Sequence, residues 1–153
     1  VVEAEIKPAL TRQIAVFDND IDQNQTAAVM LVSYTQKYDD PTYNPLPRDI
    51  VVRDNRMGRN GWAPQFPGGD VIAKALGGTV PPIVWDGVTN YVRQGQTTPE
   101  AVHVRLMDGP VADLHFAAPG NVFSAKPELK PTIDDGAIAE PRPVVLPKAQ
   151  AAL

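Results

Sequence analysis

Sixteen prolines and eleven glycines are spread over 153 residues. From Pro41 onward no long stretch is free of them. Proline interrupts the helix ladder and the interior of a sheet, and glycine weakens both. Such a chain can fold only into short elements joined by many turns. Valine outnumbers leucine by 18 to 9, which favours strands over helices. The length suits one domain with an appended arm and is enough to bury a core without covalent staples.

Several function classes fall away at once. The chain has no cysteine, so disulfide scaffolds, thiolate metal sites, iron–sulfur clusters and cysteine nucleophiles are excluded. The net charge of −4 supplies no general field for polyanions, and nucleic acid is an unfavoured partner. The longest apolar run, residues 27–32, is far too short to span a bilayer, so no membrane partner is expected.

The pattern predicts a buried strand over 13–18 and a polar loop over 19–25. Residues 26–37 fit either a helical stripe or a strand through 29–32, and the neighbouring strand signals favour the strand. Three prolines in seven residues make 39–47 irregular. Residues 50–52 read as a short strand, and 56–69 as a long loop carrying Trp62 and Phe66. Asp70 stands as N-cap before an apolar run that ends at Gly77-Gly78, predicting a helix over 70–76. A second short helix is expected over 83–93. Residues 101–107 and 111–116 alternate about Asp108-Gly109 and predict an antiparallel hairpin. No internal repeat is read.

From residue 117 the character changes. The last 37 residues carry six prolines and many alanines, the composition of an extended arm. Phe123 and Val144-Val145-Leu146 are its candidate anchors. The expected fold is α+β, mainly β: short antiparallel strands and one or two short helices in a β-rich domain over 1–116, with the Pro/Ala-rich C-terminal arm over 117–153.

The chemistry-bearing residues are few. Asp18, Asp20 and Asp22 alternate like the start of a calcium loop, but Gln23 and Val29 stand where the turn glycine and the bidentate glutamate belong, so a solvated turn is expected. His103 and His115, the two histidines, would lie on facing strands of the hairpin, where a structural role is favoured over a metal site. Neither serine, Ser33 or Ser124, sits in a nucleophile-elbow setting, and no glycine-rich phosphate loop occurs. No catalytic, cofactor-binding or metal-binding residue is assigned. Arg48, Arg53, Arg56 and Arg59 crowd one short segment and could grip a carboxylate-bearing partner.

Residues 72–85, Ile-Ala-Lys-Ala-Leu-Gly, a turn, then Ile-Val-Trp, resemble the helix-turn-helix of repressor-like DNA-binding domains. That resemblance implies a DNA-binding regulator with a recognition helix from Ile83. It departs from the pattern at Gly78 and Asp86, and Arg93 is the one basic residue of that helix.

The function expected from these readings is a non-enzymatic structural protein of a large assembly, most specifically a virion component such as a capsid cement, decoration or connector protein. It would bind neighbouring subunits through Arg53, Arg56, Arg59, Trp62 and Phe66 and through Phe123, Val144, Val145 and Leu146 of the arm. The alternatives are the helix-turn-helix regulator and a secreted or periplasmic hydrolase or binding domain that uses the Trp62–Phe66 loop.

Overall fold

In the computed structural model, residues 12–33, 37–43, 45–92, 94–116, 126–140 and 145–148 are described. Strands β1 (Arg12–Phe17), β4 (Arg48–Arg53) and β9 (Val104–Leu106) lie side by side and parallel. So do β3 (Val29–Leu31), β6 (Ile83–Trp85) and β10 (Val111–Asp113). A third parallel pair joins β2 (Asp20–Ile21) to β5 (Arg56–Met57). Ile14 lies opposite Ile50 and Asp20 opposite Arg56, the same offset of 36 residues that separates Asn19 from Asn55 and Asn24 from Asn60. The chain thus winds round and returns one strand-width further along. The result is a short parallel β-solenoid of three coils, the third passing straight from β9 to β10.

Aligned side chains stack along the solenoid. Val16, Val52 and Leu106 form one stack, and Val29, Ile83 and Val111 another. The members from the second and third coils are fully buried. This is why valine dominates: a strand flanked on both sides and covered on both faces reads as a continuous β-branched run.

Polar side chains fix the corners. Asp18 and Asp54 adopt the left-handed conformation, at φ 56 and φ 55, immediately before Asn19 and Asn55. Short polar residues tolerate that region best. Asn55 donates from Nδ2 to the Val16 carbonyl at 2.9 Å, and Asn60 from Nδ2 to the Ile21 carbonyl at 3.0 Å. Each asparagine thereby ties its coil to the one before. Asp108 continues the ladder into the third coil, its Oδ2 accepting from Asn55 Nδ2 at 2.7 Å.

The far end of the solenoid is covered. β11 (Glu128–Lys130) pairs antiparallel with β10, and β12 (Ile133–Asp134) antiparallel with β9. Between coils two and three, β7 (Asn90–Tyr91) and β8 (Glu100–Ala101) form a two-stranded ribbon. The helix α1 (Gly69–Ala75) lies on the path from β5 to β6 and buries Ile72 and Ala73. The backbone N–H of Gly78 donates to the Ala73 carbonyl at 2.7 Å, with Gly77 and Gly78 at φ +100 and +116. That closes the helix as expected.

The mainly β character stands, and the strand at 29–31 resolves the ambiguity over 26–37. Other expectations are corrected. The principal pairings are parallel, because coiling brings equivalent strands together. A 36-residue repeat exists where none was read. The polar segment 19–25 contains β2 and a bridge from Asn24 to Asn60. The strand over 13–18 is an edge strand, with Ile14 and Phe17 exposed. Asp70 makes no capping bond, and Gly68 is the N-cap. No helix follows at 83: Ile83-Val84-Trp85 is a central strand, and Gly87 then turns at φ +80. The two-helix arrangement of a helix-turn-helix is therefore not formed there. The hairpin at 101–116 does not form either. Val102, Val104 and Leu106 are buried as their alternation requires, but the corner at Asp108 leads from one sheet to the other. Regular pairing also extends past residue 117, since β11 is only three residues long and fits between Pro127 and Pro131.

Candidate functional site

The long loop after Asn60 is anchored at its start. Gly61 accepts a hydrogen bond from Val80 N–H at 3.0 Å, and a Cβ at Gly61 would meet the Val80 carbonyl at 2.1 Å. Only glycine allows that approach at its φ of +82. The loop then presents Trp62, over whose ring the Arg59 guanidinium lies at 4.2 Å. Farther on, Phe66 packs partly buried against the core.

Trp62 forms one wall of an open cavity of about 530 Å³. Pro64 and Gln65 of the same loop line it, and so do Asp70, Lys74 and the Gly77-Gly78 turn. Asp70, Ala73 and Lys74 stand at helical spacing, so one face of α1 forms the opposite wall, and the Gly77-Gly78 turn follows it. Asp70 and Lys74 are exposed, and no other described residue engages either charge. Aromatic ring, apolar edge and two opposite charges thus face one space. Sequence reasoning picked out Trp62 but missed Asp70 and Lys74 as its neighbours across the cavity. The i, i+4 spacing of those charges was the available signal.

The arginines are engaged within the chain. Arg48 pairs with Glu100 at 2.9 Å. Arg53 holds Glu140 through Nε at 2.5 Å and Nη2 at 2.8 Å, holds Asp54 through Nη1 at 2.7 Å, and covers the Phe17 ring at 4.4 Å. Its own pKa is raised by these carboxylates, and Glu140 is held below the usual carboxylate range by the Arg53 hydrogen bonds. Arg56 pairs with Asp20 and lowers its pKa. Of the arm anchors, Val145 and Leu146 are exposed, while Phe123 and Val144 lie outside the described residues.

A second polar group sits where β3, β6 and β10 end. Asp86 is 1% exposed, and its Oδ2 accepts from both Ser33 N–H and Ser33 Oγ at 2.7 Å. Its Oδ1 accepts from Val88 N–H at 3.1 Å. Burial pushes the Asp86 carboxyl above its usual range, against the pull of those bonds. Asp113, 3% exposed, accepts from His115 N–H at 2.9 Å and from Lys130 Nζ at 2.9 Å. His115 Nε2 faces Glu128 at 2.8 Å, and His103 Nδ1 faces Asp135. The two histidines therefore serve separate contacts. Ser33 is bonded to a carboxylate, with no imidazole against it among the described residues, so the group reads as a clamp between coils.

The first coil is itself a surface. Ile14 is 38% exposed where Ile50, its partner in the second coil, is 5%; Met30 is 38% exposed where Val84 is 0%. Among the described residues, β1, β2 and β3 each stand at the edge of their sheet. Asn19 and Asn24 bond the carbonyl two residues earlier in their own coil, as Asn55 and Asn60 do, but among the described residues they have no coil before them to bond as well. No family model, curated protein or solved structure matches the chain.

Proposed function

We propose that the chain is a non-enzymatic structural module of a larger assembly, with the uncovered first coil as its attachment face. The observation that carries this reading is the contrast between equivalent positions. Ile14 and Met30 are exposed where Ile50 and Val84 are buried. Burying apolar surface stabilises by about 25 cal/mol per Å². Three adjacent strands, each last in its sheet among the described residues, add a template for further pairing. The opposite end carries antiparallel strands β11 and β12, so attachment is directional.

This reading relocates the partner surface. Of the arginines named from the sequence, Arg53 holds Glu140 and Asp54 and Arg56 holds Asp20 within the chain, while Arg59 lies over Trp62. The exposed Val145 and Leu146 remain candidate secondary contacts.

Amide exchange on the dilute monomer tests the reading. Outward-facing amides of β1 and β3 are expected to exchange fast, those of β4 and β6 slowly, and the first set to slow on assembly. Equal protection of β1 and β4 in the isolated monomer would overturn it.

A further inference from the structure

We propose that the cavity beside Trp62 is a second functional site and that it binds a neutral saccharide. It lies on the loop and helix between β5 and β6, where Ala63 and Gln65 of the loop bond Gln25 and Thr26 of the first coil. Its volume, about 530 Å³, falls within the roughly 300–1,000 Å³ of small-molecule sites.

The walls specify the ligand class. Trp62 and Pro64 offer a flat apolar surface, and Arg59 stacked on the indole holds the ring in place. Opposite them, Asp70 supplies an acceptor and Lys74 a donor. These two stand four residues apart, the spacing at which an acid and a lysine on a helix commonly pair, yet no ion pair links them. Their charges cancel, so the cavity favours a neutral molecule. Gly77 and Gly78 have nothing within 4 Å of a would-be Cβ, which leaves the end of the cavity open to a ring.

A pyranose meets each of these demands. It has an apolar C–H face for the indole, and every hydroxyl on its rim both donates and accepts. A zwitterion such as a dipeptide would rely on two exposed ion pairs, which contribute little in an open, solvated cavity. The saccharide gains instead from apolar contact and several hydrogen bonds together.

The experiment is calorimetric titration of the whole chain with glucose, galactose, mannose, maltose and cellobiose, and with glycylglycine as the zwitterion. Tryptophan emission is followed in parallel; Trp85 is buried, so a change reports on Trp62. At least one of the sugars is expected to bind saturably with a Kd of roughly 1–10 mM. Trp62→Ala should weaken it at least about tenfold, and Asp70→Asn and Lys74→Met each several-fold. Circular dichroism melts report whether each variant folds; if Trp62→Ala does not, the two helix variants decide. The proposal is overturned if none of the five sugars saturates. It is also overturned if glycylglycine binds and they do not, or if sugar binding survives Asp70→Asn and Lys74→Met unchanged.

Discussion

Asn55 receives two hydrogen bonds from Asn19 on one oxygen: Oδ1 accepts from the Asn19 backbone N–H at 3.1 Å and from its Nδ2 at 3.0 Å. The same side chain donates to the Val16 carbonyl and to Asp108 Oδ2. One amide therefore joins all three coils at one corner. Asn55→Ala should strip partners from several part-buried polar groups at once. A loss of about 2–3 kcal/mol in urea unfolding is expected. Asn55→Asp should be worse near neutral pH, because a carboxylate would replace the donor that faces Asp108. A loss under about 0.5 kcal/mol, the range of ordinary surface substitutions, would show that the ladder does not hold the coils.

Gly87 separates backbone freedom from space. Its φ is +80, and an added Cβ would sit 2.4 Å from Asp113 Oδ1 and 2.7 Å from His115 N. Gly136 has a similar φ of +70, with nothing within 4 Å. Gly136→Ala should cost only the left-handed penalty, about 1–2 kcal/mol. Gly87→Ala should cost more than about 3 kcal/mol, because it also displaces the Asp113 carboxylate from its buried bonds. Equal losses in thermal or urea unfolding would refute the crowding at Gly87.

The strands within 13–18 and 50–52 were legible as valine and isoleucine runs between turn residues, whereas Ile83-Val84-Trp85 was read as the start of a helix. Partners were not legible. A hairpin and a solenoid corner ask the same of Asp108-Gly109, namely a tight polar turn between two apolar runs. What separates them is the residue each strand meets, and Val104 meets Ile50 far back in the chain. The repeat that encodes this was present: Ile14-x-Val-x-Asp-Asn and Ile50-x-Val-x-Asp-Asn. The loop and helix inserted between β5 and β6 break the period, and the third coil omits one strand, so the match fades after a single recurrence. At the cavity, Trp62 was legible as an aromatic on a long loop. Asp70 was misread as a cap because a helix start and a cavity wall look alike in sequence.

Asp86 makes the fold's stability depend on pH in an identifiable direction. Burial raises its folded-state pKa above the ordinary 3.8. A group with a raised folded pKa binds its proton more tightly when folded, so its contribution is greatest below the unfolded value and falls as pH rises through the folded one. Asp86→Asn removes that titration. It also sets an amide N–H₂ against donors from Ser33 or Val88, so the variant should be less stable than the parent at every pH. The gap between parent and variant should narrow from pH 4 to pH 7. Urea unfolding at both values checks this, and a gap that widens with pH would contradict the assigned direction.

The segment after β12 is tied to the solenoid by charge. Glu140 binds Arg53 through two oxygens, and Asp134 binds Arg105 Nε at 3.0 Å. Arg53 lowers the Glu140 pKa below its ordinary 4.5. A depressed folded pKa contributes stability above the unfolded value and loses it as pH falls through the folded value. Residues 133–140 should therefore detach more readily in acid than the strands beneath them. Amide exchange across that segment, corrected for its intrinsic pH dependence, is expected to lose protection on going from pH 7 to pH 3. Glu140→Gln should already be less protected at pH 7 and should change less with acid. Arg53 would keep Asp54 and Phe17 in that variant, so the strands β1 and β4 should hold their protection. If acid loosens β4 as much as residues 133–140, the effect is global unfolding and the local clasp is disproved.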